Sequence, residues 1–164
     1  MRRDSLFKHS SGATESTFML KTGITSPITC LTMLPNKICI GSHDGIFFYD
    51  RSSGKETHVL RGIDIYRIFE SSQKELWIGT RMYGLYRINK KGEIRQVPFS
   101  PGSPTGISSW QIRDFVEDGE RNIWFGTFDG LHKYSTKTGQ YSLIQIPKYV
   151  GGLNHPSIFS LCKD

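Results

Sequence analysis

The sequence has few cysteines, no long apolar run and no dense block of one charge, and each of these absences excludes something. The three cysteines, Cys30, Cys39 and Cys162, are odd in number and show no Cys-x-x-Cys spacing. Each lies in an apolar, strand-like context, so buried free thiols are expected, with a Cys30–Cys39 bridge across a hairpin as the lesser alternative. The five histidines are dispersed without ligand spacing, so neither a metal nor another cofactor is expected. The longest apolar runs are a few residues, against the roughly 20 that a membrane-spanning helix needs, so this stretch is expected to make no membrane contact. The basic start, Met1-Arg2-Arg3, is followed by Asp4, Lys8, His9 and serines rather than by the apolar core of an export signal. Net charge is +6, yet no run of Lys or Arg exceeds two, so no nucleic-acid stripe is visible and a solvated surface is expected.

Catalytic signatures are missing too. There is no Gly-x-Ser-x-Gly elbow, no His-Glu-x-x-His pair and no Gly-rich loop ending in Lys-Ser/Thr. Asp44, Asp129 and Asp164 leave a convergent carboxylate site open. The first two, however, recur as turn residues of a repeat, which reads as structural. No catalytic residue is assigned, and the chain is read as non-enzymatic.

What is present is a repeat. Seventeen glycines and 12% aromatics in 164 residues suit short strands joined by tight turns. A chain of this size can bury roughly 70% of its unfolded surface. Cys39-Ile40-Gly41-Ser42, Trp77-Ile78-Gly79-Thr80 and Trp124-Phe125-Gly126-Thr127 are copies of one motif. Each is followed by a second glycine (Gly45, Gly84, Gly130) and an apolar or aromatic strand. Upstream lie matching strands led by Ile28, Ile65 and Ile112, and a fourth led by Ile158. These isoleucines recur after 37, 47 and 46 residues. A period near 40–50 residues with about four short strands per unit is the mark of a β-propeller blade. The expected fold is therefore all-β: a partial β-propeller of about 3.5 four-stranded blades, its ring not closed by one chain. The blades span about 28–62, 65–97, 112–146 and, in part, 158–164. Residues 1–23 form a partly disordered N-terminal segment, in which 18–22 can supply one outer strand.

Gly41, Gly79 and Gly126 are expected where a side chain would crowd the packed face, and Gly45, Gly84 and Gly130 where a turn needs positive φ. Trp77 and Trp124 are expected in the layers between blades. Cys39 takes the tryptophan position in the first repeat, so that layer is expected to be less well filled. Two inserts, 98–110 and 147–156, read as loops rich in Pro, Gly and Ser.

The sequence Glu117-Asp118-Gly119, then Trp124-Phe125-Gly126-Thr127-Phe128-Asp129-Gly130-Leu131, resembles the two-component regulator propeller repeat, and the motif recurs in register from about Ile24 to Asp164. The resemblance implies the periplasmic sensor region of a hybrid two-component histidine kinase that responds to glycans. Kinase and receiver motifs are lacking and the last repeat is incomplete, so the chain reads as a piece of a larger sensor. An oligosaccharide is the expected ligand, and two copies are expected to close the ring. A protein-binding scaffold is the alternative, with a propeller lyase or hydrolase behind it. Propeller loops gather on one face, where ligands settle. The candidate ligand-binding residues follow each Gly-Ser/Thr: His43 and Asp44, Arg81 and Tyr83, Phe128 and Asp129, with Trp110 from the insert. Each of these also reads as an ordinary turn residue, and Trp110 as a plug between loop and blade.

Overall fold

A computed structural model describes residues 4–11, 14–144 and 157–163. The second insert, 147–156, lies outside these residues, as does Asp164. Three four-stranded antiparallel sheets follow one another along the chain. The first holds β3 (Ile28–Met33), β4 (Lys37–Ser42), β5 (Gly45–Asp50) and β6 (Glu56–Val59). The second holds β7 (Ile65–Glu70), β8 (Leu76–Thr80), β9 (Leu85–Ile88) and β10 (Ile94–Gln96). The third holds β11 (Ile112–Glu117), β12 (Ile123–Thr127), β13 (Gly130–Tyr134) and β14 (Tyr141–Ile144). In each sheet the strands pair in chain order, as consecutive hairpins must. Before them, β1 (Asp4–Ser11) and β2 (Thr14–Lys21) pair with each other as a separate hairpin.

The sheets stack as blades. Leading strand β3 lies beside β7, and β7 beside β11, so the first strands gather about a common axis. A strand covered by a blade on each side must be apolar or small throughout, which is why Leu76–Thr80 is buried at every position rather than at alternate ones. Between the first two blades lie Cys39 and Ile46 from one side and Ile65, Ile68, Leu76 and Ile78 from the other. Between the second and third lie Trp77 and Leu85 against Ile112, Phe115, Ile123 and Phe125. Each fully buried Ile or Leu contributes about 1.5–3 kcal/mol.

The first glycine of the motif sets how closely the blades approach. A Cβ on Gly41 would lie 2.8 Å from Ile65 Cγ2, one on Gly79 2.7 Å from the Ile112 carbonyl oxygen, and one on Gly126 2.7 Å from Ile158 Cγ2. The leading isoleucine of each blade thus rests on the bare glycine of the blade before it. The second glycine serves the turn: Gly45, Gly84 and Gly130 hold φ of +105°, +76° and +134°. The Ser/Thr between them closes that turn, since Ser42, Thr80 and Thr127 donate their hydroxyls to Gly45, Gly84 and Gly130 carbonyls at 3.1, 2.7 and 2.9 Å.

Three expectations need correction or refinement. Trp77 is buried between blades, its ring 5.0 Å from Tyr134 of the third, with the Arg87 guanidinium 4.4 Å above it. Trp124 occupies the same motif position and carries Lys133 over its ring at 5.0 Å, yet it is only half-buried, its Nε1 donating to Asp118 at 2.8 Å. It faces away from the second blade, and among the described residues no full sheet packs on it. Residues 157–163 sit where a fourth leading strand belongs, with Ile158 N–H donating to the Thr127 carbonyl at 2.9 Å, but they carry no sheet pairing. Finally, the three thiols are free as expected, with Cys30 opposite Gly41 rather than Cys39, but only Cys39 is fully buried: Cys30 is half-buried and Cys162 is exposed. A cavity of about 340 Å³ opens in the layer that Cys39 helps to fill, lined by Leu34, Phe48, Val59, Leu76 and Ile88 among others.

Candidate functional site

Each leading strand carries a bulge at the same place. The register slips between Ile28 and Cys30, between Ile65 and Arg67, and between Ile112 and Asp114. The residue skipped is the second of the strand: Thr29, Tyr66 and Arg113. A bulge frees a residue from the ladder and re-aims its side chain, and bulges concentrate beside binding sites. Here Arg113 Nη1 donates to the Tyr66 hydroxyl at 3.1 Å. Its guanidinium lies 5.3 Å from the Tyr66 ring and 4.4 Å from the ring of Phe159, the second residue of the fourth leading segment. Two successive blades and the unpaired segment that follows them thus build one stack, Tyr66–Arg113–Phe159, beside the axis.

Turns and loops add to this stack. Arg81 reaches back from the β8–β9 turn, its guanidinium 5.4 Å from the Tyr66 ring and its Nε 3.0 Å from Asp64. Gln111 accepts from Arg113 Nη2 at 3.2 Å, and its carbonyl accepts the Phe128 N–H at 3.3 Å. Its side-chain amide lies 3.9 Å from the sulfur of Met82. Trp110 stacks on Phe99 with centroids 4.3 Å apart and planes 10° from parallel, and its carbonyl accepts the Gly84 N–H at 2.8 Å. Apolar surface is correspondingly open here: Tyr83, Phe99, Trp110 and Phe128 are each about 40% exposed and Phe159 is 64% exposed. A mixed surface of exposed rings and guanidinium groups can stack on flat ligand faces while donating hydrogen bonds.

The structure distributes the seven sequence candidates unequally. Arg81 meets the axial stack at the Tyr66 ring, Phe128 is bonded to Gln111 beside it, and Trp110, next to Gln111 in the chain, bonds Gly84, the residue after Tyr83. His43 and Asp44 are exposed but belong to the first blade's own turn. The Asp44 carboxylate accepts the Gly62 N–H at 2.8 Å and its carbonyl meets His58 Nε2 at 2.5 Å, which ties down the loop into the second blade. Asp129 donates its N–H to Thr127 Oγ1 at 3.1 Å within its turn. Tyr66, Arg113, Phe159 and Gln111 were not among the candidates. The signal that could have found them is their shared offset, one residue after each leading isoleucine or one before it.

A second grouping lies at the outer side of the third blade. Ser108 Oγ is 2.9 Å from His132 Nε2, and the Ser108 N–H donates to the same nitrogen at 3.3 Å. The imidazole stacks on Phe125 and lines a cavity of about 380 Å³ with Ser103, Pro104, Tyr141 and Leu143. Burial pushes the His132 pKa down to about 4, against a partial upward pull from the Asp129 charge and a hydrogen bond at Gly130. No group of three or more His, Cys, Asp or Glu that could hold a metal occurs among the described residues.

No protein-family model and no curated protein matches the chain. Solved structures do. The extracellular domain of BT4673 from B. thetaiotaomicron, assigned to a hybrid two component system, is 24% identical with a TM-score of 0.62, over 75% of this chain and 17% of that one. The extracellular domain of BT3049 from the same organism, assigned likewise, is 22% identical with a TM-score of 0.63, over 80% of this chain and 18% of that one. Virginiamycin B lyase from Staphylococcus aureus is 17% identical with a TM-score of 0.60, over 84% of this chain and 47% of the lyase. The chain spans about a sixth of the two extracellular domains and about half of the lyase. Together with the three stacked blades, these likenesses establish the propeller fold. Among the described residues no helix is long and apolar enough to cross a membrane.

Proposed function

We propose that this chain is a non-enzymatic recognition segment of an extracytoplasmic sensor in a two-component signalling system, and that it takes a carbohydrate-like ligand on its loop face. One observation carries the reading. The second blade, the third blade and the segment after it contribute Tyr66, Arg113 and Phe159 to a single stack at the axis. Exposed Trp110 and Phe99 stack on each other in the loop that leads to Gln111, and exposed Tyr83 lies in the turn whose Gly84 N–H bonds the Trp110 carbonyl. Ring faces stack on the C–H faces of a sugar, and flanking guanidinium and amide groups bond its hydroxyls. The sensor setting is supported by the two extracellular domains that share the fold, and the repeat resemblance points the same way. The lyase with the same fold shows that the fold alone does not decide between binding and catalysis.

The test is titration calorimetry of the whole chain against a panel of neutral and acidic oligosaccharides. Binding with a Kd in the micromolar to millimolar range is expected. Trp110→Ala and Tyr83→Ala should each weaken it about tenfold, a loss of about 1.4 kcal/mol. Equal affinity in both variants would move the site elsewhere. Hydrolysis or elimination of any panel member would overturn the non-enzymatic reading.

The half-buried Trp124, with Lys133 over its ring, repeats the Trp77–Arg87 pair that the third blade covers. On this reading the trailing face takes a further blade, and two copies of the chain close a ring across it.

A further inference from the structure

We infer that the ligand carries an anionic oxygen group, a carboxylate or a sulfate ester, and that Arg113 is the residue that receives it. This rests on the reading of the loop face as a sugar site. The inner arginines of the second blade all have a carboxylate: Arg67 Nε lies 3.1 Å from Asp114, Arg81 Nε 3.0 Å from Asp64, and Arg87 Nη2 2.6 Å from Glu75. Arg113 stands apart from them. It is half-buried between the Tyr66 and Phe159 rings, and no carboxylate pairs with it among the described residues. Its two polar partners, the Tyr66 hydroxyl and the Gln111 side-chain oxygen, are neutral. Its Nε is buried and makes no hydrogen bond.

Asp114, next in the chain, does not supply the missing charge. Its Oδ1 faces Arg67, and its Oδ2 accepts from the Ser160 hydroxyl at 3.0 Å and the Leu161 N–H at 2.9 Å. A guanidinium partly withdrawn from water between two rings and lacking a counter-charge carries a desolvation cost, and an incoming anion relieves it. Neutral oxygens fix the plane of the fork without neutralising it, so the group stays oriented and its charge remains available. A planar carboxylate or a sulfate oxygen pair is the chemistry that such a fork matches. The bulge that re-aims Arg113 is shared by Thr29 and Tyr66 at the same offset. The backbone device is therefore general to the repeat, and the charge at this blade is specific.

The experiment compares four probes by calorimetry with the whole chain: a trimer of a hexuronic acid, its methyl ester, the neutral hexose trimer, and that trimer bearing one sulfate ester. The expected result is that the hexuronate, the sulfate ester or both bind about tenfold more tightly than the neutral trimer, and that raising salt narrows the gap. Whichever acid wins identifies the group. Arg113→Gln should bring all four within about threefold. Should Arg113→Gln unfold, Arg113→Lys keeps the charge without the fork, and the acid preference should fall but stay salt-sensitive. Equal binding of acidic and neutral trimers by the natural chain sinks the anion site and leaves the sugar reading standing. An acid preference that survives Arg113→Gln, or one unmoved by salt, removes Arg113 from the role. If no trimer binds, the sugar reading falls and this inference falls with it.

Discussion

Replacing Gly79 by alanine tests the packing that the whole fold depends on. The strand backbone there is not left-handed, so alanine is allowed and only space is at issue. The added methyl would sit 2.7 Å from the Ile112 carbonyl oxygen and 3.1 Å from Ile112 Cβ and Cγ2, against an ordinary contact of 3.4–4 Å. The obstacle is backbone, so no rotamer change relieves it and the third blade must shift on the second. Overpacking of this kind costs about 1–3 kcal/mol, and the entropy lost from the unfolded chain when glycine is replaced returns about 0.4–1. The net expectation is a loss of about 1–2 kcal/mol, or a fall in Tm of about 2–8 °C for a chain of this length. Urea titration followed by tryptophan fluorescence reads it as a lower midpoint at unchanged slope. Gly119→Ala is the control, since nothing lies within 4 Å of its added methyl and its φ is not positive. Gly41→Ala should cost less than Gly79→Ala, because the atoms it meets belong to the Cys30 and Ile65 side chains. Stability of Gly79→Ala within about 0.5 kcal/mol of the natural chain would refute the glycine-on-isoleucine packing, as would equal damage at Gly119.

Three further outcomes follow from the same contacts. His132 takes its proton at about 4 when folded and at its ordinary 6.5 when unfolded, so its contribution is complete above 6.5 and drains away as pH falls towards 4. That amounts to about 2–4 kcal/mol. His132→Phe should flatten the stability curve across this window, and an unchanged slope there would show that the imidazole is not the group responsible. A thiol reagent should modify exposed Cys162 in the native chain but reach Cys39 only on unfolding, since burial both shields that thiol and pushes its pKa up. Rapid native labelling of Cys39 would contradict the first inter-blade layer. Light scattering should find a dimer whose population drops when Trp124 is changed to Asp, whereas a monomer at all concentrations would leave the trailing face to some other occupant.

The blades themselves could be read along the chain, because a blade is made by neighbours in sequence. Apolar strands, a turn at Gly45, Gly84 or Gly130, and a closing hydroxyl from Ser42, Thr80 or Thr127 all act within about four residues, so composition and spacing expose them. The candidate site was only partly legible. Arg81, Tyr83 and Phe128 stood out because they follow the motif's Gly-Thr, and Trp110 because it stands in the insert, but so did His43, Asp44 and Asp129, whose polar groups hold their own loops. Tyr66, Arg113 and Phe159 share a position but no chemistry, so no pattern of residue types marks them.

Local sequence thus determined the period, the hairpins and the bare glycines. Tertiary structure decided which copies of a motif position are covered and which side chains meet. Trp77 and Trp124 have nearly the same local sequence, yet one is buried and the other half-open, because burial depends on whether another sheet lies alongside. Arg113 and Tyr66 are 47 residues apart in the chain and 3.1 Å apart in space. That contact is set by how one blade rotates against the next, a relation that no stretch of sequence within a single blade contains.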